Sequence, residues 1–282
     1  MIKIVADSTC DLSEELIKKY DISVIPLNIL LGEEEYLDGV NITPQEIFDW
    51  SEKNKTTPKT SAVSMELAVN TLKTYVEAGD EVVCFHIASG MSTSGNVMRL
   101  AVEELEVQNR VYIVDSANLS TGIGLLVIEA AIMAKEGKSA EEIVRRIEEL
   151  KPRVRASFVV DTLMYLYRGG RCSGLAAMAG SALKLHPRIA VEDGKMSPGK
   201  KYRGNINKVI PTYVKDMEED LKCAKKDRVF ITHSGCDREV IEEVRSYLQT
   251  LNHFEEIHET LAGGVISSHC GPGTLGVLFI TG

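Results

Sequence analysis

The chain has 282 residues, 44% of them hydrophobic and 26% charged, an ordinary globular composition with room for about two domains of typical size. Its formal net charge of −9 and sequence pI of about 5.3 argue against a general nucleic-acid surface and a polybasic membrane anchor. Small molecules and other proteins remain as partners, with at most transient contact with a membrane.

In chain order, IKIVADS predicts a short buried strand, and SEELIKKY a helix opened by Ser13 with glutamates in its first turn, where they suit the helix dipole. SVIPLNILL, the turn-rich GEEEY and YLDGV predict a strand followed by a ribbon. TPQEIFDWSEK opens a helix with Thr43 as N-cap, Pro44 at the first helical position and Glu46 closing a capping box. MELAVNTLKTYVEAG is an amphipathic helix ending at Gly79, and EVVCFHIAS a buried strand running into the hydroxyl-rich turn SGMSTSG. Helix GNVMRLAVEELE, strand RVYIVDS and helix STGIGLLVIEAAIMAKEG continue the alternation, which implies a mostly parallel sheet with helices on both faces. Helix SAEEIVRRIEELKPRV stops at Pro152. Beyond it come ASFVVD, the alanine-rich GLAAMAGSALKL, and RIAVEDGKMSP, a hairpin turning at Asp193-Gly194. The amphipathic helices YVKDMEEDLKCAKK and DREVIEEVRSYLQTLN flank strand RVFITHS, and EEIHETLAGGVISSHCGPGTLGVLFITG closes the chain. The expected organisation is an α/β chain of two domains: 1–155 with a mostly parallel sheet, and 156–282 with a mixed sheet. They meet at a soft boundary where strands can be shared.

MIKIVADSTCDL reaches acid after a few apolar residues and Glu129 interrupts the longest apolar helix, so neither a signal peptide nor a membrane span is expected. The six cysteines, Cys10, Cys84, Cys172, Cys223, Cys236 and Cys270, form no Cys-x-x-Cys pair. A reduced, cytoplasmic setting is expected, without a disulfide framework or a zinc site. His253 and His258 lack partners at ligand spacing and are expected to face solvent. GPGTLG at 271–276 precedes a strand, whereas a dinucleotide site needs a strand before and a helix after. GIGLLV at 122–127 has only the first two glycines, and no Gly-x-x-x-x-Gly-Lys-Ser/Thr loop is present, so no nucleotide cofactor is expected.

What remains is a set of strand-end turns rich in small and hydroxyl residues: DSTCD (7–11), KTSAVS (59–64), SGMSTSG (89–95), DSANLSTG (115–122) and SHCGPG (268–273). Open parallel sheets bind ligands at the carboxyl ends of their strands, so several of these turns are expected to converge on one polar spot. Glycine permits close backbone approach there, and hydroxyls donate to an oxyanion without adding net charge. Within SGMSTSG three readings compete. Ser92 or Ser94 can cap the following helix; hydroxyls and helix N–H groups can hold an anionic head group; or a serine can be a nucleophile, although the second glycine of Gly-x-Ser-x-Gly arrives one residue late, at Gly95.

VADSTCDLS, VIPLNILLGEEEYLDG, KTS at 59–61, ASGMSTSG, VDSANLSTGIG, LMYLYRGGRCSG at 163–174 and SHCGPGTLGV occur in that order over essentially the whole chain. Together they resemble the DegV family, the fatty-acid-binding components of bacterial fatty acid kinase. The resemblance implies a two-domain α/β structure enclosing a long acyl chain in an apolar tunnel. It further implies a carboxylate held near the domain boundary and phosphorylated by a separate ATP-dependent kinase subunit. Such a protein is a carrier without catalysis, cofactor or metal of its own. Carried over by position, the family's carboxylate-binding threonine falls on Thr60, the serine of its Leu-Ser-Gly-Thr turn on Ser92, and the histidine before its last glycine-rich turn on His269. Ser61, Thr93, Ser94 and Gly271 complete the implied ligand-binding set, and Arg171 and Arg203 are expected toward the face the kinase approaches. TSAVS, STSG and Cys172 depart from the family's pattern. The rival reading is an acyl hydrolase using Ser92 with His269 or His86 as base. It requires a base held by an acid and an oxyanion hole, and the acids near these turns, Asp7 and Asp115, fit strand-end capping equally well.

Overall fold

The computed structural model describes residues 1–171 and 185–282, so Cys172 and nearly all of the alanine-rich stretch lie outside the described residues. Strand β1 (Ile2–Asp7) pairs in parallel with β2 (Ile22–Ile25) and β6 (Glu81–His86), and β6 with β7 (Val111–Asp115), giving the order β2-β1-β6-β7. Successive side chains point to opposite faces of a strand, so Ile4 and Ala6 enter one core while Val5 enters another. Between β2 and β6 the chain forms an antiparallel ribbon, β4-β3-β5, from β3 (Leu27–Leu31), β4 (Glu34–Leu37) and β5 (Lys59–Val63). Helix α1 (Glu14–Tyr20) is capped by Ser13, and α2 (Pro44–Asn54) carries the Thr43–Glu46 capping box that its sequence predicts. Helices α3 (Met65–Glu77) and α4 (Ser94–Glu104) cover the Val5 face of the parallel sheet, while α5 (Thr121–Lys135) and α6 (Ala140–Leu150) cover the other.

The second sheet follows the order β10-β9-β8-β13-β11-β12. Its strands are β8 (Val154–Val159), β9 (Leu185–Glu192), β10 (Lys195–Arg203), β11 (Arg228–Ser234), β12 (Glu256–Leu261) and β13 (Thr274–Ile280). Parallel pairing of β11 with β12 makes this sheet mixed. Asp193 (φ 48°) and Gly194 (φ 72°) form the turn between β9 and β10, the left-handed pair that a type I′ hairpin requires. The short α7 (Met164–Arg168) follows β8. Helices α8 (Ile206–Lys215), α9 (Glu218–Lys222) and α10 (Arg238–Thr250) cover the sheet face bearing Val159, Ile231 and Val277.

Phe158, Phe230 and Leu278 belong to the core that also contains α5. Helix α5 therefore lies between the two sheets and is buried without interruption from Thr121 to Ile128, as a helix apolar on all sides must be. Its single acid, Glu129, accepts hydrogen bonds from Arg228 Nη1 at 2.6 Å and Lys225 Nζ at 2.9 Å. The charge that interrupts the apolar run thus ties the two halves together.

Three expectations are corrected. YVKDMEEDLKCAKK is not one helix: α8 begins at an Asn205 cap and runs through Pro211, then ends where Asp216 turns to accept from Lys200 Nζ (2.6 Å) and Tyr202 Oη (2.7 Å). Among the described residues no strand is shared between the parallel and mixed sheets; the crossing is made by α11 (Gly264–Cys270), which packs against α2, β3 and β5. His253 and His258 are partly buried and not solvent-facing. His253 Nε2 donates to the Ala224 carbonyl at 2.8 Å, and His258 lies against Phe230 with ring centroids 5.1 Å apart.

Arg228 is only 7% exposed, so Glu129→Gln strands a buried guanidinium that keeps Asp227 alone, 3.1 Å away. The expected loss is roughly 2–3 kcal/mol, read as a lower urea midpoint at unchanged m-value. A midpoint equal to that of the unsubstituted chain would remove Glu129 from this role.

Candidate functional site

The hydroxyl-bearing segments meet where the ribbon, the parallel sheet and α11 come together. Strand β5 supplies Thr60 and Ser61, the segment after β6 supplies Ile87, Met91 and Ser92, and α11 supplies His269. They line a pocket whose remaining wall is largely aliphatic, including Leu166, Val265 and Ile266. A second pocket, lined by Phe158, Ala262 and Leu278, by Ser120 and Thr274, and by Thr232, His233 and Ser234 of β11, shares Leu119, Ile266 and Cys270 with the first. The two pockets therefore adjoin, the first at the ribbon and the second between α5 and the mixed sheet.

The first pocket carries a cluster of polar groups. His269 Nε2 lies 2.8 Å from Thr60 Oγ1. Its Nδ1 is buried without a hydrogen-bond partner among the described residues, and the ring packs so closely on Gly169 that a Cβ there would collide with it. Burial, helped by the nearby Arg171 charge, pushes the imidazole down to about 4, so the ring is neutral at physiological pH. Arg171, exposed among the described residues, also lines the pocket: Nη1 donates to the Gly169 carbonyl at 2.8 Å and Nε to the Met91 carbonyl at 3.4 Å. Ser92 Oγ is 3.0 Å from Ser94 Oγ and accepts the Ser94 N–H at 3.2 Å.

The remaining sequence-predicted residues fall elsewhere. Thr93 is exposed and occupies the N-cap position of α4 without a side-chain cap bond; the first-turn N–H is taken by Ser92 instead. Ser94 is fully buried beneath Ser92 and does not line the cavity. Gly271 (φ 75°) serves packing, since a side chain there would strike the Tyr165 ring. Arg203 stands on β10 seven residues beyond the cavity-lining Met196, about 20 Å away along a strand.

Nor do all the turns converge on the cavity. DSTCD lies behind it and builds a buried carboxylate junction. Asp7 accepts from Thr9 and from the Ile87 N–H at 2.9 Å, Asp11 from Ser120 Oγ at 2.5 Å and the Gly263 N–H at 2.9 Å, and Asp38 from Ser8 Oγ and the Gly264 N–H, both at 2.7 Å. Burial raises all three carboxyls, Asp7 to about 6. Asp11 and Asp38 hold the first two N–H groups of the segment that becomes α11, and so aim His269. Asp38 escaped sequence reasoning because YLDGV reads as a ribbon turn; its one local signal is the Asp-Gly pair.

A triad on Ser92 does not form among the described residues. His269 is engaged with Thr60 and has no carboxylate on Nδ1, and His86 Nδ1 donates to the Ile87 carbonyl at 2.6 Å with its other edge packed on Gly95. Asp115 is occupied by the N–H groups of Ser89 (3.3 Å) and Ala117 (2.8 Å). Among the described residues no group of three or more His, Cys, Asp or Glu could hold a metal ion, and no helix is long and apolar enough to cross a membrane.

The model of a family described as "Uncharacterised protein, DegV family" matches residues 1–282. A DegV domain-containing protein of Caldanaerobacter subterraneus subsp. tengcongensis is 35% identical over 99% of this chain and 98% of its own length. Among solved structures, a fatty-acid-binding DegV family protein from Thermus thermophilus superposes with a TM-score of 0.91 at 31% identity, covering 99% of both chains. A fatty acid (stearic acid)-binding protein from Eubacterium ventriosum gives a TM-score of 0.87 at 31% identity, covering 100% of this chain and 98% of that one.

The depressed His269 makes a testable contribution to stability. The unfolded chain binds this proton below its ordinary value of 6.5 and the folded chain only near 4, so stability is lost as pH falls through that window. The penalty at the acid end is on the order of 3 kcal/mol. His86 and His233 are depressed by burial as well, and Asp7 contributes with the opposite sign. The measurement is therefore the difference between the pH–stability curves of wild type and His269→Gln, which should narrow from pH 6.5 to 4. A flat difference would mean that the ring is solvated.

Proposed function

The chain belongs to the DegV family, and on that footing we propose that it binds a long-chain fatty acid and presents its carboxylate to a separate ATP-dependent kinase for acyl-phosphate formation. The observation that carries this reading is the cluster of Thr60, Ser61, Ser92, His269 and Arg171 on a largely aliphatic pocket, which adjoins a second pocket between α5 and the mixed sheet. Burying about fifteen methylenes at roughly 0.8 kcal/mol each supplies on the order of 10 kcal/mol as an upper limit, whereas a hydrogen bond to the carboxylate adds about 1.5–3. The tail then sets affinity and the head group sets position.

In this reading the protein is a cytoplasmic carrier with no resident cofactor. Thr60, Ser92 and neutral His269 offer hydrogen bonds to the carboxylate, while the exposed Arg171 meets the partner or the transferring phosphate. Arg203, at the far end of the hairpin, is reached only by a partner that extends along β10.

Mass spectrometry of lipid extracted from the purified chain should find a long-chain fatty acid. A lipid-free protein that also fails to bind palmitate or oleate would refute the reading. Ser92→Ala and His269→Ala should retain lipid, bound more weakly, yet lose far more in acyl-phosphate formation with a cognate kinase, because transfer needs the acceptor oxygen close to and in line with the phosphate. Arg171→Ala should keep its lipid content and lose productive encounter. If Arg171→Ala emptied the tunnel, or Ser92→Ala were phosphorylated at the unsubstituted rate, these roles would be wrongly assigned.

A further inference from the structure

The turn DSANLSTG holds a serine whose role in the carrier reading is only to donate to the buried Asp11. Ser120 joins the loop after β7 to α5 with φ 53° and ψ −145°, a conformation sparsely populated by anything but glycine and concentrated at functional sites. A strained serine between a strand and a helix is how the nucleophile elbow of acyl hydrolases presents its hydroxyl. The sequence signal was absent because the residue two before it is Asn118, not glycine.

Three further observations converge on this residue. Its Oγ donates to Asp11 Oδ2 at 2.5 Å, and both side chains are buried. Asp11, itself left-handed at φ 51°, is fixed in orientation by the Gly263 N–H on its other oxygen at 2.9 Å. Finally, Ser120 lines the inner apolar cavity beside Phe158 and Leu278, and the N–H of Thr121, first in α5, has no acceptor within the helix. In the elbow that N–H, one residue after the nucleophile, faces the oxyanion.

We propose that Ser120 and Asp11 form a serine–carboxylate dyad that hydrolyses a long-chain acyl ester held in the tunnel. Ser120 Oγ adds to the ester carbonyl carbon as its proton passes to Asp11, with the oxyanion toward the Thr121 N–H. The bond to the leaving alcohol breaks and Asp11 returns the proton to that alcohol, leaving an acyl-serine. Water then adds to the acyl carbon, giving its proton to Asp11; the bond to Ser120 breaks, the proton returns to Ser120 Oγ, and a free fatty acid remains. The proposal rests on the reading of the pockets as an acyl site, and it places the ester carbonyl in the inner pocket beside Ser120, at the opposite end from the head group of the carried fatty acid.

The test uses the full chain stripped of lipid. A long-chain alkyl fluorophosphonate should add once per chain by intact mass, with peptide mapping placing the adduct on Ser120. Hydrolysis of p-nitrophenyl palmitate should fall by at least about 10²-fold in Asp11→Asn and vanish in Ser120→Gly, a substitution that accepts φ 53° without strain. Absence of adduct and of turnover in a chain that binds palmitate, or an adduct on Ser92 instead, overturns the dyad and leaves the carrier standing. A chain that binds no palmitate overturns both.

Discussion

A helix that is apolar on every side must be covered on every side, and that requirement on α5 orders the rest of the molecule. The parallel sheet covers one flank and the phenylalanine-bearing face of the mixed sheet covers another. Neither sheet alone can enclose a cylinder roughly 10 Å across with its side chains, so the two halves are held together by the same burial that stabilises each. The single acid in α5 is placed at the rim, where Arg228 and Lys225 meet it. Just before the amino end of the helix, Leu119 lines both pockets and Ser120 the inner one. The cavity is thus the residue of a packing problem solved by a helix between two twisted sheets of different strand order.

Closing that space brings loop ends from both halves into a dry junction, where backbone N–H groups need acceptors. Asp7, Asp11 and Asp38 supply them to Ile87, Gly263 and Gly264, and hydroxyls from Ser8, Thr9 and Ser120 complete the shell. A buried carboxylate is costly unless hydrogen-bonded, and the upward displacement of all three carboxyls records the remaining cost. Glycine is required at the helix entrance by the same crowding: a Cβ on Gly264 would press against Ile29, Ile47 and Asp38. The acidic turn near the amino terminus and the glycine pair before α11 are therefore two halves of one device, separated by most of the chain.

Elements with a local cause could be read directly from sequence. The Thr43 capping box, the Ser13 cap, the Asp193-Gly194 turn and the alternation that makes the first sheet parallel depend on a few neighbouring residues. The pairing of Thr60 with His269 was approached only through seven segments that occur in one family's order: the two residues are 209 apart, and nothing local says that they touch. What stayed illegible depends on long-range crowding. Gly271 looks like a ligand-binding glycine until Tyr165 is placed against it, and Thr93 looks like part of a hydroxyl cluster until α4 begins one residue later and turns it outward. The break between α8 and α9 follows from Lys200 and Tyr202 on β10 drawing Asp216 away, a partner the helical periodicity does not contain.

The neutrality of His269 links this packing to the proposed chemistry. An imidazolium beside Arg171 would hold a carboxylate through charge, and transfer of a phosphoryl group would then increase the attraction for the product. With the ring kept neutral by burial and by that same arginine, the head site offers hydrogen bonds of ordinary strength, and selectivity passes to geometry. Gly169 lets α7 approach until the ring has no other orientation, and the N–H groups of Gly263 and Gly264, held by Asp11 and Asp38, fix the helix that carries it. The positive charge of Arg171 is left exposed, bound to the backbone carbonyls of Met91 and Gly169, where it can meet an incoming anion without being buried beneath one. In the proposed function, a site built this way would hold its ligand by the tail and leave the head weakly tethered, as a carrier that surrenders a modified head group requires.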